Sequence, residues 1–382
     1  MPRITSRQRV QMALNHQEPD RVPTALGGGP YGIVDTLYFR LLEHLELGDP
    51  VPPFRSGHNI SYMDDRLLER LGVDTRYVWP GASPSSPSRV LEGEDAFLDE
   101  YGQRWKRALP YYYPDRGMLA EAASLHDIDR IVNWPDPSGS RWVEGVRERA
   151  KSLREGTEVF VVGRMVASYG PYQTACNLRG TEIFLMDLVN NQAFAAHLIE
   201  RITDTLAGLM KAYLAAGGQY FDMIELPGDD YASNTNLVMS PAMFRKYFKH
   251  ALARLVSIVK DFNPSIKVML HSDGLIQRLL PDLIEIGIDV VHPLEPLPAA
   301  NLAEIKSLYG DKLSFLGAID IKQAMPGSLE DVEREAQTRI LQLAPGGGYI
   351  LAPANHLQAD IPPENVVALF DAARKYGQYP IR

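Results

Sequence analysis

The side chains with the most chemical capacity follow a short apolar run in Ser265–Gly274, which reads SIKVMLHSDG. Ile266–Leu270 has the length and continuity of a buried strand, and it leads straight into His271, Ser272 and Asp273. Residues i and i+2 of an extended chain face the same way, so the imidazole and the carboxylate would be presented together. Three chemistries fit the pair. Zinc accepts His nitrogen and carboxylate oxygen, usually with four ligands and one open position at catalytic sites; the other ligands would come from Glu225, Glu295 or His356. The pair could instead hydrogen-bond to each other and cap the helix that begins at Gly274. It could also do acid–base work without a metal.

Other groups with chemical capacity fall after apolar runs in the same manner. Arg164 follows Val159–Val162 and suits either a substrate carboxylate or a fixed salt bridge. Glu225 is followed by Asp229 and Asp230, adjacent carboxylates that can hold a cation, orient an amine or simply lie solvated on a loop. His292 stands before a proline and reads as a strand-end cap. Asp320, in LGAID, is a polar anchor or the N-cap of the next helix. Asn355 and His356 follow Tyr349–Pro353. Three of the nine histidines thus fall at strand ends that are far apart in sequence. The loop Gly27–Pro30 reads as a tight turn rather than a phosphate cradle, because no GKS/T or complete GxGxxG follows it.

The elements that must position these groups alternate regularly. Strands are expected at Val22–Leu26, Val73–Trp79, Glu158–Met165, Tyr220–Leu226, 266–270, Asp289–Leu294, Leu313–Ile319 and Tyr349–Pro353. Helices are expected at Arg7–Asn15 with Ser6 as N-cap, at 33–47, 62–72 and 141–154, and at 181–216 with a break near Asn190-Asn191. Further helices fit Pro241–Asp261, 275–286, Leu302–Tyr309, Leu329–Leu343 and Pro363–Tyr376, the last with Gly377 at its C-cap. Eight strands mostly followed by helices predict an α/β fold, a (β/α)8 TIM barrel with an N-terminal elaboration, whose active site lies where the strands end. Pro80–Pro87 is a loop. The aromatic-rich segment 88–113 reads as short antiparallel strands over the mouth, its aromatics either forming a small core of their own or touching substrate. The whole of 1–382 is expected to be one domain with a mouth-covering insertion near 80–137.

Composition narrows the functional classes. The chain has 382 residues, 45% hydrophobic and 23% charged, with a formal net charge of -9. No basic block is present, so nucleic acid is not an expected partner. The single cysteine, Cys176, excludes internal disulfides and a cysteine-rich zinc site, and favours a reducing, cytoplasmic setting. The first residues lack the apolar stretch of a signal peptide, and no run reaches the roughly 18–20 apolar residues of a membrane span.

Five stretches resemble the uroporphyrinogen decarboxylase and cobamide-dependent methyltransferase superfamily: SRQRVQMALNHQEPDRVP, GDDYASNTNLVMSPAMFRKYFKHALARL, VMLHSDGLIQRLLPDLIEIGIDVVHPLEP, LGAID and PGGGYILAPANHLQADIPPENVVALFDAAR. The resemblance implies the same (β/α)8 barrel. The decarboxylases carry an arginine-rich segment resembling RQAGRY that grips propionates. Here the corresponding stretch is TALGGGPYGIVD, without arginine, which argues against uroporphyrinogen as substrate. The methyltransferase branch binds zinc through a His-x-Cys pair and a later Cys. Here the pair is His271-x-Asp273, and the last strand ends in Ala354-Asn355-His356. A harder His/carboxylate site is more Lewis-acidic than a thiolate site and suits a methyl donor activated through its oxygen. In this respect the chain is more similar to relatives that demethylate methoxylated compounds.

The resulting expectation is a methyltransferase that moves a methyl group from a small methoxylated or related donor to a corrinoid carried by a partner protein. His271, Asp273, Glu225 and His356 are its candidate zinc ligands. His271, Asp273, Arg164 and Asp320 are its candidate catalytic groups, and Asp230 and Tyr231 are candidate cofactor contacts. Tyr31, Tyr172 and Tyr231 are expected at the mouth. Barrels of this kind often pair, so a homodimer is an open alternative. Two other readings remain: a metal-independent, decarboxylase-like lyase with Arg164 gripping a smaller carboxylate, and a non-catalytic binding barrel.

Overall fold

The computed structural model describes residues 4–55, 59–81, 89–91, 94–108, 111–139 and 142–381. Helix α1 (Ser6–Leu14) is capped by Thr5, one residue before the expected Ser6, because the Thr5 hydroxyl and the Gln8 side chain form a reciprocal capping box. Helices α2 (Asp35–His44) and α3 (Asp65–Arg70) precede strand β1 (Thr75–Val78). Strands β2 (Arg89–Val90), β3 (Ala96–Leu98), β4 (Arg104–Ala108) and β5 (Tyr111–Pro114) form a separate antiparallel sheet in the order β2-β3-β4-β5. The expected loop at 80–87 lies largely outside the described residues.

After α4 (Leu125–Ile131) and α5 (Val146–Gly156), strands and helices alternate: β6 (Phe160–Gly163), α6 (Pro171–Arg179), α7 (Thr181–Asn190), α8 (Gln192–Gly217) and β7 (Met223–Glu225). Then come α9 (Pro241–Tyr247), α10 (Lys249–Phe262), β8 (Lys267–His271), α11 (Leu280–Glu285) and β9 (Val290–His292). The chain finishes with α12 (Leu302–Tyr309), β10 (Ser314–Ile319), α13 (Leu329–Leu343), β11 (Tyr349–Pro353) and α14 (Pro363–Tyr376). Helices α4 and α6 were not expected from the sequence, and the expected 241–261 helix divides at Phe248.

Strands β1, β6, β7, β8, β9, β10 and β11 form one parallel sheet in that order. Their residues are almost wholly buried, because helices cover one face and the opposite face packs on itself, which explains the continuous apolar runs. Val22–Leu26 runs along the β11 edge as an extended segment. Leu351 N donates to Pro23 O at 2.9 Å, Ala25 N donates to Leu351 O at 2.9 Å, and Asp74 N, beside β1, donates to Thr24 O at 3.0 Å. The segment is thus bonded next to both edges of the sheet, which must curl to allow it. It makes only a single bridge to β11 rather than a ladder, because Pro23 has no N–H to donate. The architecture is an α/β fold with a curled, TIM-like parallel sheet.

Asp74 ties the amino-terminal ends together. Its buried carboxylate accepts from Ser6 Oγ at 2.8 Å, Arg9 Nη1 at 2.7 Å, Arg21 Nη1 at 3.0 Å and Thr24 N at 2.9 Å. With α1, the 22–26 segment and β1 locked there, the carboxyl ends of the strands are left to carry loops. Among the described residues, no helix is long and apolar enough to cross a membrane.

Candidate functional site

A cavity of about 470 Å³ opens at the carboxyl ends of the parallel strands, lined by His271, Asp273, Asp230, Asn355 and His356. That volume is in the range of roughly 300–1,000 Å³ typical of small-molecule sites. The antiparallel sheet supplies another wall. Phe97 and Trp105 stack with ring centroids 6.1 Å apart, and Trp105 stacks in turn on Tyr169 at 5.8 Å. These aromatics are both the small core of that sheet and part of the cavity lining.

His271 and His292 end adjacent strands in register, and their Nδ1 atoms lie 2.8 Å apart. His292 Nε2 lies 3.1 Å from the carbonyl oxygen of Pro353. A carbonyl only accepts, so His292 Nε2 carries the hydrogen. Burial, with His271 alongside, holds His292 well below the usual histidine range, so it is neutral and its Nδ1 offers a lone pair. His271 must therefore donate from Nδ1, and in the neutral ring the His271 Nε2 lone pair faces away from His292.

Two carboxylate oxygens meet that lone pair. Asp230 Oδ1 and Asp273 Oδ1 each lie 3.7 Å from His271 Nε2. This distance is too long for the hydrogen-bonded His271–Asp273 pair considered from sequence. Asp273 Oδ2 accepts from Asn355 Nδ2 at 2.6 Å, but Asp273 Oδ1 is buried with no partner. Burial, opposed by His271 and reinforced by Asp230, pushes the Asp273 carboxyl up to about 6. The three ligand atoms lie within 4.8 Å of one another. Tetrahedral zinc with bonds of about 2.1 Å would space its ligands about 3.4 Å apart, so a small inward movement suffices. An orphaned acceptor beside a fixed lone pair is a donor set suited to a cation.

The remaining candidates are placed elsewhere. Both Glu225 oxygens are engaged inside the fold, Oε2 by Gly29 N at 2.8 Å and Oε1 by the Tyr31 hydroxyl at 2.7 Å. Gly29 belongs to the Gly27–Pro30 loop, whose close approach to Glu225 leaves no room at Gly28 for a Cβ. His356 Nδ1 accepts from Gly32 N at 2.9 Å, so its Nε2 carries hydrogen. Burial, together with Arg55 and Arg164, holds His356 well below the usual range. Glu295 accepts from Gly274 N at 3.0 Å and pairs with Lys322. Asp320 caps the turn after β10 through Lys322 N at 2.7 Å and Gln323 N at 3.1 Å. Asp229 parts company with Asp230: it is buried under the start of α6, accepting from Gln173 N at 2.8 Å, and burial pushes it up to about 7. Tyr231 donates to Asp229 at 2.6 Å from the core. Tyr31, Tyr172 and Tyr231 are buried rather than at the mouth, where Trp105, Tyr169 and Tyr111–Tyr113 stand instead.

Sequence reasoning undervalued His292. Its signal was positional, a second histidine at the end of the next strand. It missed Arg55, which lies on a proline-rich loop where spacing carries no information.

The family model described as uroporphyrinogen decarboxylase (URO-D) matches residues 117–376. Uroporphyrinogen decarboxylase 2, chloroplastic, from Oryza sativa subsp. japonica is 24% identical over 266 residues, which cover 67% of this chain and 62% of that protein. The chloroplastic uroporphyrinogen decarboxylase of Zea mays is 25% identical over 263 residues, covering 67% of this chain and 61% of that one. The chain therefore spans less than two thirds of the length of these relatives. A methyltransferase from Methanosarcina mazei superposes with a TM-score of 0.62 at 20% identity, over 98% of this chain and 99% of that one, a likeness of fold.

Proposed function

The chain belongs to the uroporphyrinogen decarboxylase (URO-D) family, and from that premise we propose that it is a methyltransferase, moving a methyl group from a small methoxylated donor to the reduced cobalt of a corrinoid on a partner protein. The observation that carries this reading is the orphaned Asp273 Oδ1 beside the fixed His271 Nε2 lone pair, with Asp230 completing the set. These three residues would hold zinc, with Asp230 in the place that sequence reasoning gave to Glu225 or His356. Zinc bound there would supply Lewis acidity toward the donor oxygen. His292 keeps the His271 proton on Nδ1, and Asn355 fixes the Asp273 carboxylate. His356 lines the cavity, and its neutral Nε2–H can donate a hydrogen bond to the oxygen that keeps the electrons of the broken methyl C–O bond. The aromatic wall excludes water from that charge.

The same reading extends to the architecture. Val22–Leu26 acts as the eighth stave of a closed (β/α)8 barrel, and 1–382 is one domain with the β2–β5 sheet as its mouth-covering insertion. A cytoplasmic setting, and pairing as a homodimer, belong to the proposal as well. The absence of arginine in TALGGGPYGIVD favours a small donor over a porphyrinogen.

The test is the zinc content of purified protein beside that of His271→Ala, followed by methylation of cob(I)alamin from methoxylated donors. About one zinc per chain, lost in the variant, is expected. No zinc in wild type after incubation with the metal would remove this reading. The second reading, a lyase acting on a small carboxylate, is favoured by the buried Arg164 guanidinium, which has no carboxylate in contact among the described residues. It predicts turnover without zinc or corrinoid.

A further inference from the structure

Two guanidinium groups share one phenyl ring, and one of them, Arg55, lines the cavity. The Cζ of Arg55 lies 5.1 Å from the centre of the Phe54 ring, and that of Arg164 lies 4.9 Å from it. Neither forms an ion pair with a carboxylate among the described residues, although most arginines of this chain do. Arg164 is 6% exposed, reaches the carbonyls of Gly28 and Gly29 only at 3.4 Å, and has a buried Nε with no partner. Arg55 uses Nε on the Ile60 carbonyl at 2.7 Å, and the outer edge of its fork has no hydrogen bond among the described residues.

No nearby carboxylate among the described residues contacts either guanidinium, although Asp99, Glu100, Asp230 and Asp273 line the same cavity. The long-range countercharge of Arg164 is Glu225, whose oxygens are already engaged by Gly29 and Tyr31. His356 is neutral. Asp230 and Asp273 belong to the cluster around His271. Burial and the facing Arg164 push Arg55 down to about 9, a direction that Tyr169 and Asp35 only partly oppose. A partly enclosed arginine without a partner is costly, and its planar fork matches a carboxylate.

We propose that Arg55, backed by Arg164 across Phe54, is an anion subsite that takes the carboxylate of the small-molecule substrate. The substrate is then a small carboxylic acid, held by its charge at one wall and presenting its reacting end to the His271 cluster. Trp105 is stacked between Phe97 and Tyr169, and the side of that stack that lines the cavity suits an apolar body. This rests on reading the cavity as the active site, but not on methyl transfer as its chemistry. Arg55 lies outside the stretch matched by the family model.

The test is calorimetric titration of the full-length protein as purified, with benzoate as the anionic probe and benzyl alcohol as its neutral counterpart. Benzoate should bind more tightly than the alcohol. Arg55→Gln should weaken benzoate roughly 10–100-fold, the worth of a charge-assisted hydrogen-bonded pair, and leave the alcohol unchanged. Arg55→Lys should fall between, since it keeps the charge and loses the fork. Zinc content should be the same in Arg55→Gln and wild type, and His271→Ala should still bind benzoate through Arg55. That separates failure here from failure of the methyltransferase reading. Equal binding of acid and alcohol, no benzoate binding at all, or unchanged benzoate affinity in Arg55→Gln would overturn the subsite. Displacement of benzoate by inorganic phosphate would overturn its assignment to a carboxylate.

Discussion

His292→Ala tests whether the ring beside His271 sets the metal-binding form of that residue. In the wild type, His292 donates to Pro353 O at 3.1 Å and accepts from His271 Nδ1 at 2.8 Å, so its ring transmits the direction of a backbone carbonyl to the next imidazole. Alanine would remove both bonds from a fully buried position. His271 would then be free to place its proton on Nε2, where it occupies the ligand position. Loss of such an orienting partner costs about 10–100-fold in metal affinity, which corresponds to about 1.4–2.7 kcal/mol. The unpaired Pro353 carbonyl adds about 1–3 kcal/mol of lost stability, so folding must be followed separately. The assay is competition for zinc against a chromophoric chelator at neutral pH, with circular dichroism to confirm the fold. His126→Ala, at an exposed position on α4, serves as a control and should bind zinc like wild type. A folded His292→Ala protein with wild-type zinc affinity would refute the argument that the tautomer is fixed through His292.

Three further perturbations follow from the same geometry. Asp74→Asn removes the carboxylate that binds Arg9 and Arg21, and should lower unfolding stability in urea by about 3–5 kcal/mol while zinc affinity stays unchanged; a loss of about 1 kcal/mol or less would mean that the cluster acts as an exposed pair does. Tyr31→Phe removes a 2.7 Å hydrogen bond to the buried Glu225, and should cost about 1–3 kcal/mol, read from the midpoint of chemical unfolding. Burial and the neighbouring Asp99 push the Glu100 carboxyl up to about 7 from an ordinary 4.5, so the folded state holds a proton that the unfolded chain has released over that interval. Stability should therefore fall as pH rises from 4.5 toward 7, and Glu100→Gln should flatten that slope in a thermal-unfolding series; parallel slopes in the two proteins would contradict it.

The parallel strands were legible because burial on both faces writes them as unbroken apolar runs, and β11 and α12 to α14 match their expected bounds residue for residue. Where the sequence misled, a local rule met a tertiary constraint. Ser6 has the chemistry of an N-cap, but its hydroxyl bonds Asp74, leaving the cap to Thr5. Val22–Leu26 has the apolar content of a strand, but Pro23 interrupts its ladder. Helix α6 was not expected from the sequence, and its start at Gly170-Pro171 is held by the buried Asp229 accepting from its first N–H groups. No local pattern indicates that the helix cap lies 56 residues further along the chain.

The same distinction explains the site. Strand ends are visible in sequence, so His271, Asp273, Asn355 and His356 could be gathered in advance. What a carboxylate does there depends on which donors reach it, and those come from distant loops. Glu225 and Asp273 both follow strands, yet Gly29 and Tyr31 satisfy every oxygen of the first, while Asn355 satisfies only one of the second. The carboxylate left with an unmet oxygen faces the imidazole lone pair. On the proposed reading, that asymmetry would place a cation at Asp230, His271 and Asp273, and it leaves Glu225 as the internal counterion of Arg164. Arg55 then remains as the cation that an incoming acid would neutralise.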